Sequence, residues 1–271
     1  MNLNEPRVPS QLFPSIATQL RAALGNMHFA AEALAPAETR ERDPKLDATA
    51  ALFDQGYYQL LRIVNNLTSA EYLSHEAPEP PADQDIVSAV SEVCEQADSL
   101  ANLVHLRLSF VSQEKFHLCA FYKDLLGQLL FHLLSNAFKF TPAGGSITVD
   151  LRFSGGQILL SVIDTGCGIS PNLLPSLFDR YLHEDRMDPQ PHGLGLGLPL
   201  CRKIAEQHGG SIMAESKIGG GTRITLSIPD RQTGRAPVSD VPFDYAGGFN
   251  HTLLALSDAL PSQAFRLKEQ D

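Results

Sequence analysis

Asn136 and Lys139 stand three residues apart near the end of an apolar stretch, Leu125 to Phe138, whose spacing predicts a helix. His132 lies one helical turn before Asn136. A side-chain carbonyl such as that of Asn136 suits Mg2+, a hard cation that takes oxygen ligands and leaves room for waters and anionic oxygens. Lys139 could neutralise anionic charge beside it, whereas a histidine on such a helix is often merely packed or solvated. Further on, Gly193, Gly195 and Gly197 precede a helix beginning near Leu198. Uncrowded backbone N–H groups and a helix N-terminus make a place where phosphate oxygens can bind. Asp164 follows the apolar strand ILLSVI, so its carboxylate emerges at a strand end beside the flexible Gly166 and Gly168. Singly, each feature has a plainer reading: a DTG turn can simply end a strand, and one glycine run says little. Together they describe a site for a polyanion and its cation.

The order of the motifs says more. SNAFKFTP (135–142), DTGCGI (164–169), GLGLGL (193–198) and GGGT (219–222) follow one another, with LFDRY (177–181) between the second and third and HGG (208–210) after the third. This series resembles the N, G1, G2 and G3 boxes, with the Phe-containing box, of the histidine-kinase ATP-binding domain. The resemblance implies ATP and Mg2+ as ligands. It gives Asn136 to the metal, with His132 at a position that is often a second asparagine or a histidine. Asp164 would accept a hydrogen bond from the adenine amine, beside Gly166 and Gly168. Phe178 matches the Phe box, and Gly193, Gly195, Leu196 and Gly197 the phosphate-side glycine box. Lys139 would face phosphate, and Thr222 would pack or hydrogen-bond near the site. Residues 179–192 are polar and proline-containing and read as a lid, with Arg180 and Arg186 in reach of phosphate or simply solvated. The P-loop pattern GxxxxGK[ST] is absent, which excludes a Walker-type site.

The first helix departs from the family pattern. Kinases of this architecture carry the accepting histidine in a segment like H-E-L-R-T-P-L, and the best match here is Thr18-Gln19-Leu20-Arg21-Ala22-Ala23-Leu24. Thr18 stands at the histidine position and Gln19 at the acid position. An imidazole nitrogen attacks the γ-phosphate while the carboxylate takes its proton; a threonine hydroxyl stays protonated at neutral pH, and glutamine is no base. Ordinary autophosphorylation at this position is therefore not expected. A shifted alignment offers His28 as acceptor but loses the Leu-Arg pair. The resemblance implies two-component signalling, in which phosphate passes on to a response regulator. One alternative is a nucleotide-binding pseudokinase that scaffolds or inhibits a partner kinase or regulator. A second is a Ser/Thr protein kinase or ATPase on the same fold.

The elements that hold these residues form an α+β protein. Ile16, Leu20, Ala23, Met27, Ala30 and Leu34 recur at four and three, as do Leu46, Ala50, Phe53, Tyr57, Leu60, Val64 and Leu67. With the charged, proline-containing connector 35–44 they predict two antiparallel helices, and pairing with a second copy would complete a four-helix bundle. The chain divides into a dimerisation hairpin (10–75), a linker (76–84), an ATP-binding α/β sandwich of the histidine-kinase/Hsp90 type (85–229) and a C-terminal extension with a short helix (230–271). Helix is expected over 86–101 and about 196–207, and strands within 105–119 and at 146–153, 157–163, 211–216 and 222–228. With 271 residues, 43% hydrophobic and 19% charged, the composition is that of a soluble globular protein. A formal charge of −10 without a basic block argues against nucleic acid or anionic lipid as a ligand. No bilayer-length apolar run or leader pattern is evident, so the expected location is cytoplasmic. The four cysteines are scattered and read as reduced thiols.

Overall fold

The computed structural model describes residues 12–75, 80–179, 195–237 and 250–267. Helix α1 (Leu12–Leu34) packs along helix α3 (Pro44–His75), and the connector contains one helical turn, α2 (Ala37–Arg40). Asp43 starts α3 by accepting the backbone N–H groups of Lys45 and Leu46, with Pro44 in the first turn, where its missing N–H costs nothing. Arg21 bonds Asn65 and Thr68, while His28 lies against Tyr57, so α1 ascends as α3 descends.

The face of α1 turned to α3 is not the expected seam. Ala17 and Leu24 are buried there, with Arg21 and His28 between and beyond them, whereas Leu20 is 44% and Met27 54% exposed. Ile16 and Leu34 are exposed too, and on α3 so are Phe53 and Leu60, while Tyr57 and Val64 are buried. The reason lies in the polar members of the inner face. Each finds a partner on α3, so this face can be desolvated without orphaned groups. The purely apolar stripe is left on the outside.

The second part is built on a five-stranded sheet of order β2-β4-β5-β7-β6. Its members are β2 (Arg107–Ser112), β4 (Ser146–Ser154), β5 (Gln157–Asp164), β6 (Ser211–Ser216) and β7 (Thr222–Pro229); β2 joins β4 in parallel and the rest are antiparallel. Ile147, Val149, Leu151, Ile158, Leu160, Val162, Ile224, Leu226 and Ile228 alternate along β4, β5 and β7 and are all buried. That face is covered by α4 (Ile86–Leu103), α5 (Lys123–Phe140) and α6 (Gly197–Gln207).

One expectation needs correction. β3 (Leu118–Phe121) pairs with β1 (Ala82–Asp85), which begins inside the predicted linker, 76–84. Asp83 explains the pairing, since its carboxylate accepts the N–H groups of Thr233 and Gly234 and ties the chain after β7 to β1. The extension then contributes helix α7 (His251–Leu256) and a 3-10 turn (Ser262–Phe265), packed on α3 and α5. No helix among the described residues is long and apolar enough to cross a membrane.

Candidate nucleotide site

The antiparallel register sets Asp164, the last residue of β5, opposite Thr222, the first of β7. Fifty-odd residues of chain lie between them, yet one carboxylate oxygen, Asp164 Oδ1, accepts the N–H of Thr222 at 3.2 Å and that of Gly166 at 2.8 Å. The other oxygen has no partner among the described residues. Burial raises the Asp164 pKa above its ordinary value, and the two backbone N–H groups oppose that rise.

The glycines are required by the closeness of the two loops. A Cβ on Gly168 (φ +72°) would collide with the Lys217 carbonyl, and one on Gly221 (φ +82°) with the Asp164 carbonyl. Gly219 N–H donates to Cys167 O at 2.8 Å, and Cys167 N–H to Phe140 O, at the end of α5, at 3.1 Å. Ser216 finishes the junction: its Oγ accepts the Ile169 N–H, donates to Gly221 O, and lies 2.9 Å from Thr222 Oγ1. The sequence reading passed over Ser216, because a serine at the end of a strand carries no pattern of its own.

Helix α5 carries the remaining groups. Asn136 is half-buried and hydrogen-bonds nothing among the described residues, which leaves its amide for a ligand. His132 is 5% exposed, and its Nε2 has no hydrogen-bond partner among the described residues. Burial, with Arg62 and Lys139 nearby, lowers its pKa to about 3, so the ring is neutral. The same two cations would repel Mg2+ from His132, which leaves Asn136 as the better metal-side group. Gly197, at the start of α6, packs against the His132 ring, where an added Cβ would come 3.4 Å from Nδ1. Leu196 is buried beside it, Gly195 takes φ +65°, and Phe178 packs on the core. Gly193 and the lid residues Arg180 and Arg186 lie outside the described residues. Lys139 does not point freely at a ligand, because its Nζ is 3.5 Å from Asp258 in the extension.

Residues 122–232 match the model of the histidine kinase-, DNA gyrase B- and HSP90-like ATPase family. Over that stretch the chain is similar to this family. Proteins similar to this chain include sensor protein KdpD of Clostridium acetobutylicum, 28% identical over 232 residues that span 84% of this chain and 25% of that protein. Histidine protein kinase DivJ of Caulobacter vibrioides is 41% identical over 104 residues, 38% of this chain and 17% of DivJ. The chain thus spans a quarter or less of the length of these two relatives. Full-length ShkA, crystallised in complex with AMPPNP, superposes with a TM-score of 0.67 over 85% of this chain and 48% of its own, at 24% identity, which speaks for the fold. Residues 122–232 thus resemble a histidine-kinase-type ATP-binding domain, and the site above lies at the ends of the elements that the domain model covers.

The first helix presents its groups differently. Thr18 and Gln19 are exposed on α1. His28 faces α3, its ring 4.5 Å from that of Tyr57 and its Nε2 3.8 Å from Asp54 Oδ1.

Proposed function

We propose that this protein binds Mg-ATP in two-component signalling and does not phosphorylate itself in the ordinary way. The observation that carries the nucleotide reading is Asp164: one oxygen is fixed by Gly166 and Thr222, and the other is left to accept a hydrogen bond from the adenine amine. Asn136 would hold the Mg2+, and Gly193, Gly195, Leu196 and Gly197 would lie along the phosphates. Bound Mg2+ supplies neutralisation of phosphate charge, since phosphoryl transfer depends chiefly on positioning and electrostatics. Thr222 and Ser216 keep the base-side loops together, while Gly166 and Gly168 let backbone approach the flat base.

The hairpin favours a nucleotide-gated pseudokinase over a working kinase. Thr18 and Gln19 provide neither nucleophile nor base, and His28, held between the helices, would have to leave Tyr57 and Asp54 to reach a phosphate. In this reading the protein acts on a partner kinase or response regulator through its helices. The outward stripe of Ile16, Leu20, Met27, Leu34, Phe53 and Leu60 supports a homodimer closed as a four-helix bundle. Four thiols without a disulfide accord with a cytoplasmic setting.

Incubation with [γ-32P]ATP and Mg2+, beside a separate nucleotide-binding titration, tests this reading. Binding by wild type, its loss in Asn136→Ala and no stable label is the expected result. Acid-labile label lost in His28→Ala would instead establish a relocated histidine kinase. Label lost in Thr18→Ala would establish a hydroxyl acceptor.

A further inference from the structure

His132, Ser135, Asn136 and Lys139 share one face of α5, at spacings of three and four. Two side chains from outside the ATP-binding domain press on that face. Arg62 of α3 has Nη1 3.1 Å from Ser135 Oγ and 2.9 Å from Asp258 Oδ2. Lys139 Nζ is 3.5 Å from the same Oδ2. The side chains of Arg62 and Lys139 are each 8% exposed. Two buried cations thus converge on a single carboxylate oxygen, one helical turn from Asn136. In the ATP-binding reading Lys139 is the cation that would meet phosphate, so Asp258 holds the place that an anionic ligand would take.

We propose that Asp258 is a built-in competitor for the terminal phosphates of the nucleotide, and that segment 250–267 is an autoinhibitory strap carrying it. The proposal rests on the ATP-binding reading above. The strap has its own attachments. Asn250 caps α7 by accepting the N–H groups of Thr252 and Leu253, and Leu253, Leu254, Leu256, Leu260 and Phe265 are buried. Gln55 donates to Leu260 O at 2.7 Å, Gln59 to Ser257 O at 3.3 Å, and Arg40 to Phe265 O at 3.1 Å. All three donors belong to the helical hairpin, while His251 lies against Phe131 of α5, ring centroids 5.3 Å apart. The strap therefore bridges hairpin and nucleotide domain at the point where Asp258 fills the anion seat. A triphosphate entering the seat displaces Asp258 and loosens that bridge, which links nucleotide occupancy to the position of the hairpin.

The test uses the full chain, with Mg-AMPPNP and adenosine as probes. Asp258→Asn keeps the shape and removes the charge. If the closed form is the major one, AMPPNP binds about threefold or more tightly to the variant, because apparent affinity scales with the competent fraction. Adenosine, lacking phosphate, binds both equally. In wild type, AMPPNP should also speed amide hydrogen exchange over 250–267. Equal AMPPNP affinity in the two proteins, with exchange unchanged, would overturn the strap and leave the ATP reading intact. Failure of both proteins to bind AMPPNP and adenosine would remove the ATP reading itself and the strap with it. Gln55→Ala with Gln59→Ala, which retains every charge, guards against misfolding of Asp258→Asn: it should tighten AMPPNP in the same direction, and no change there also overturns the proposal.

Discussion

Asp164 Oδ1 accepts the backbone N–H of Thr222, so the carboxylate expected to recognise the base is also the clamp that joins the ends of β5 and β7. The two roles fall on different oxygens and can be separated by substitution. In Asp164→Asn the amide oxygen can keep both backbone bonds, and the amide nitrogen replaces the acceptor offered to adenine with a donor. We expect the variant to melt within a few degrees of wild type and to lose nucleotide affinity by about tenfold or more, equivalent to about 1.4 kcal/mol. Calorimetric titration beside a thermal melt measures both, and retained affinity would remove Asp164 from the base contact.

Gly221 and Gly168 should tolerate no side chain. Both have positive φ, and a Cβ on either meets backbone that cannot rotate away. Gly221→Ala is expected to cost about 2 kcal/mol or more in chemical denaturation. Gly234→Ala, also at positive φ but with open space around it, should cost less, since it carries only the conformational penalty. Equal losses at the two positions would mean that the interlocked loops are looser than described.

His132 should make stability depend on pH. Burial, then Arg62 and Lys139, depress its pKa from 6.5 to about 3. The unfolded chain therefore takes up the proton first as the pH falls. The stability contributed by the neutral ring is full above 6.5 and is lost progressively toward about 3. His132→Asn should lower the slope of the urea midpoint between about pH 7 and about pH 5, the window set by an unfolded histidine. His208, also lowered by burial, remains in both proteins and accounts for a residual slope. An unchanged slope would place the proton-sensitive group elsewhere.

The outward stripe can be tested without touching the nucleotide site. Leu20→Glu and Leu60→Glu put charge on positions that are 44% and 49% exposed in one copy. If a second copy covers them, the double variant sediments at half the mass of wild type while its nucleotide affinity is kept. Monomeric wild type would end the bundle reading.

The sequence alone determined the local grammar of this protein. Alternation along β4, β5 and β7, the helical spacing of α4, α5 and α6, and the glycines at Gly168 and Gly221 depend on near neighbours and on what backbone each residue permits, so they were legible in the chain. The places of Asp164 at a strand end and Asn136 on a helix were legible because short motifs fix them beside their own turn and helix. Tertiary structure decided what depended on the chain returning to itself. Spacing found an apolar stripe on α1, but which stripe faces α3 was set by whether Arg21 and His28 found partners there. Asp83 drew β1 out of the expected linker by bonding Thr233 and Gly234, about 150 residues away. Asp258 reached Lys139 only because buried leucines of the extension seat it between α3 and α5. Such pairings have no local signature: their free energy comes from desolvation and charge at a distance in sequence, which periodicity does not record.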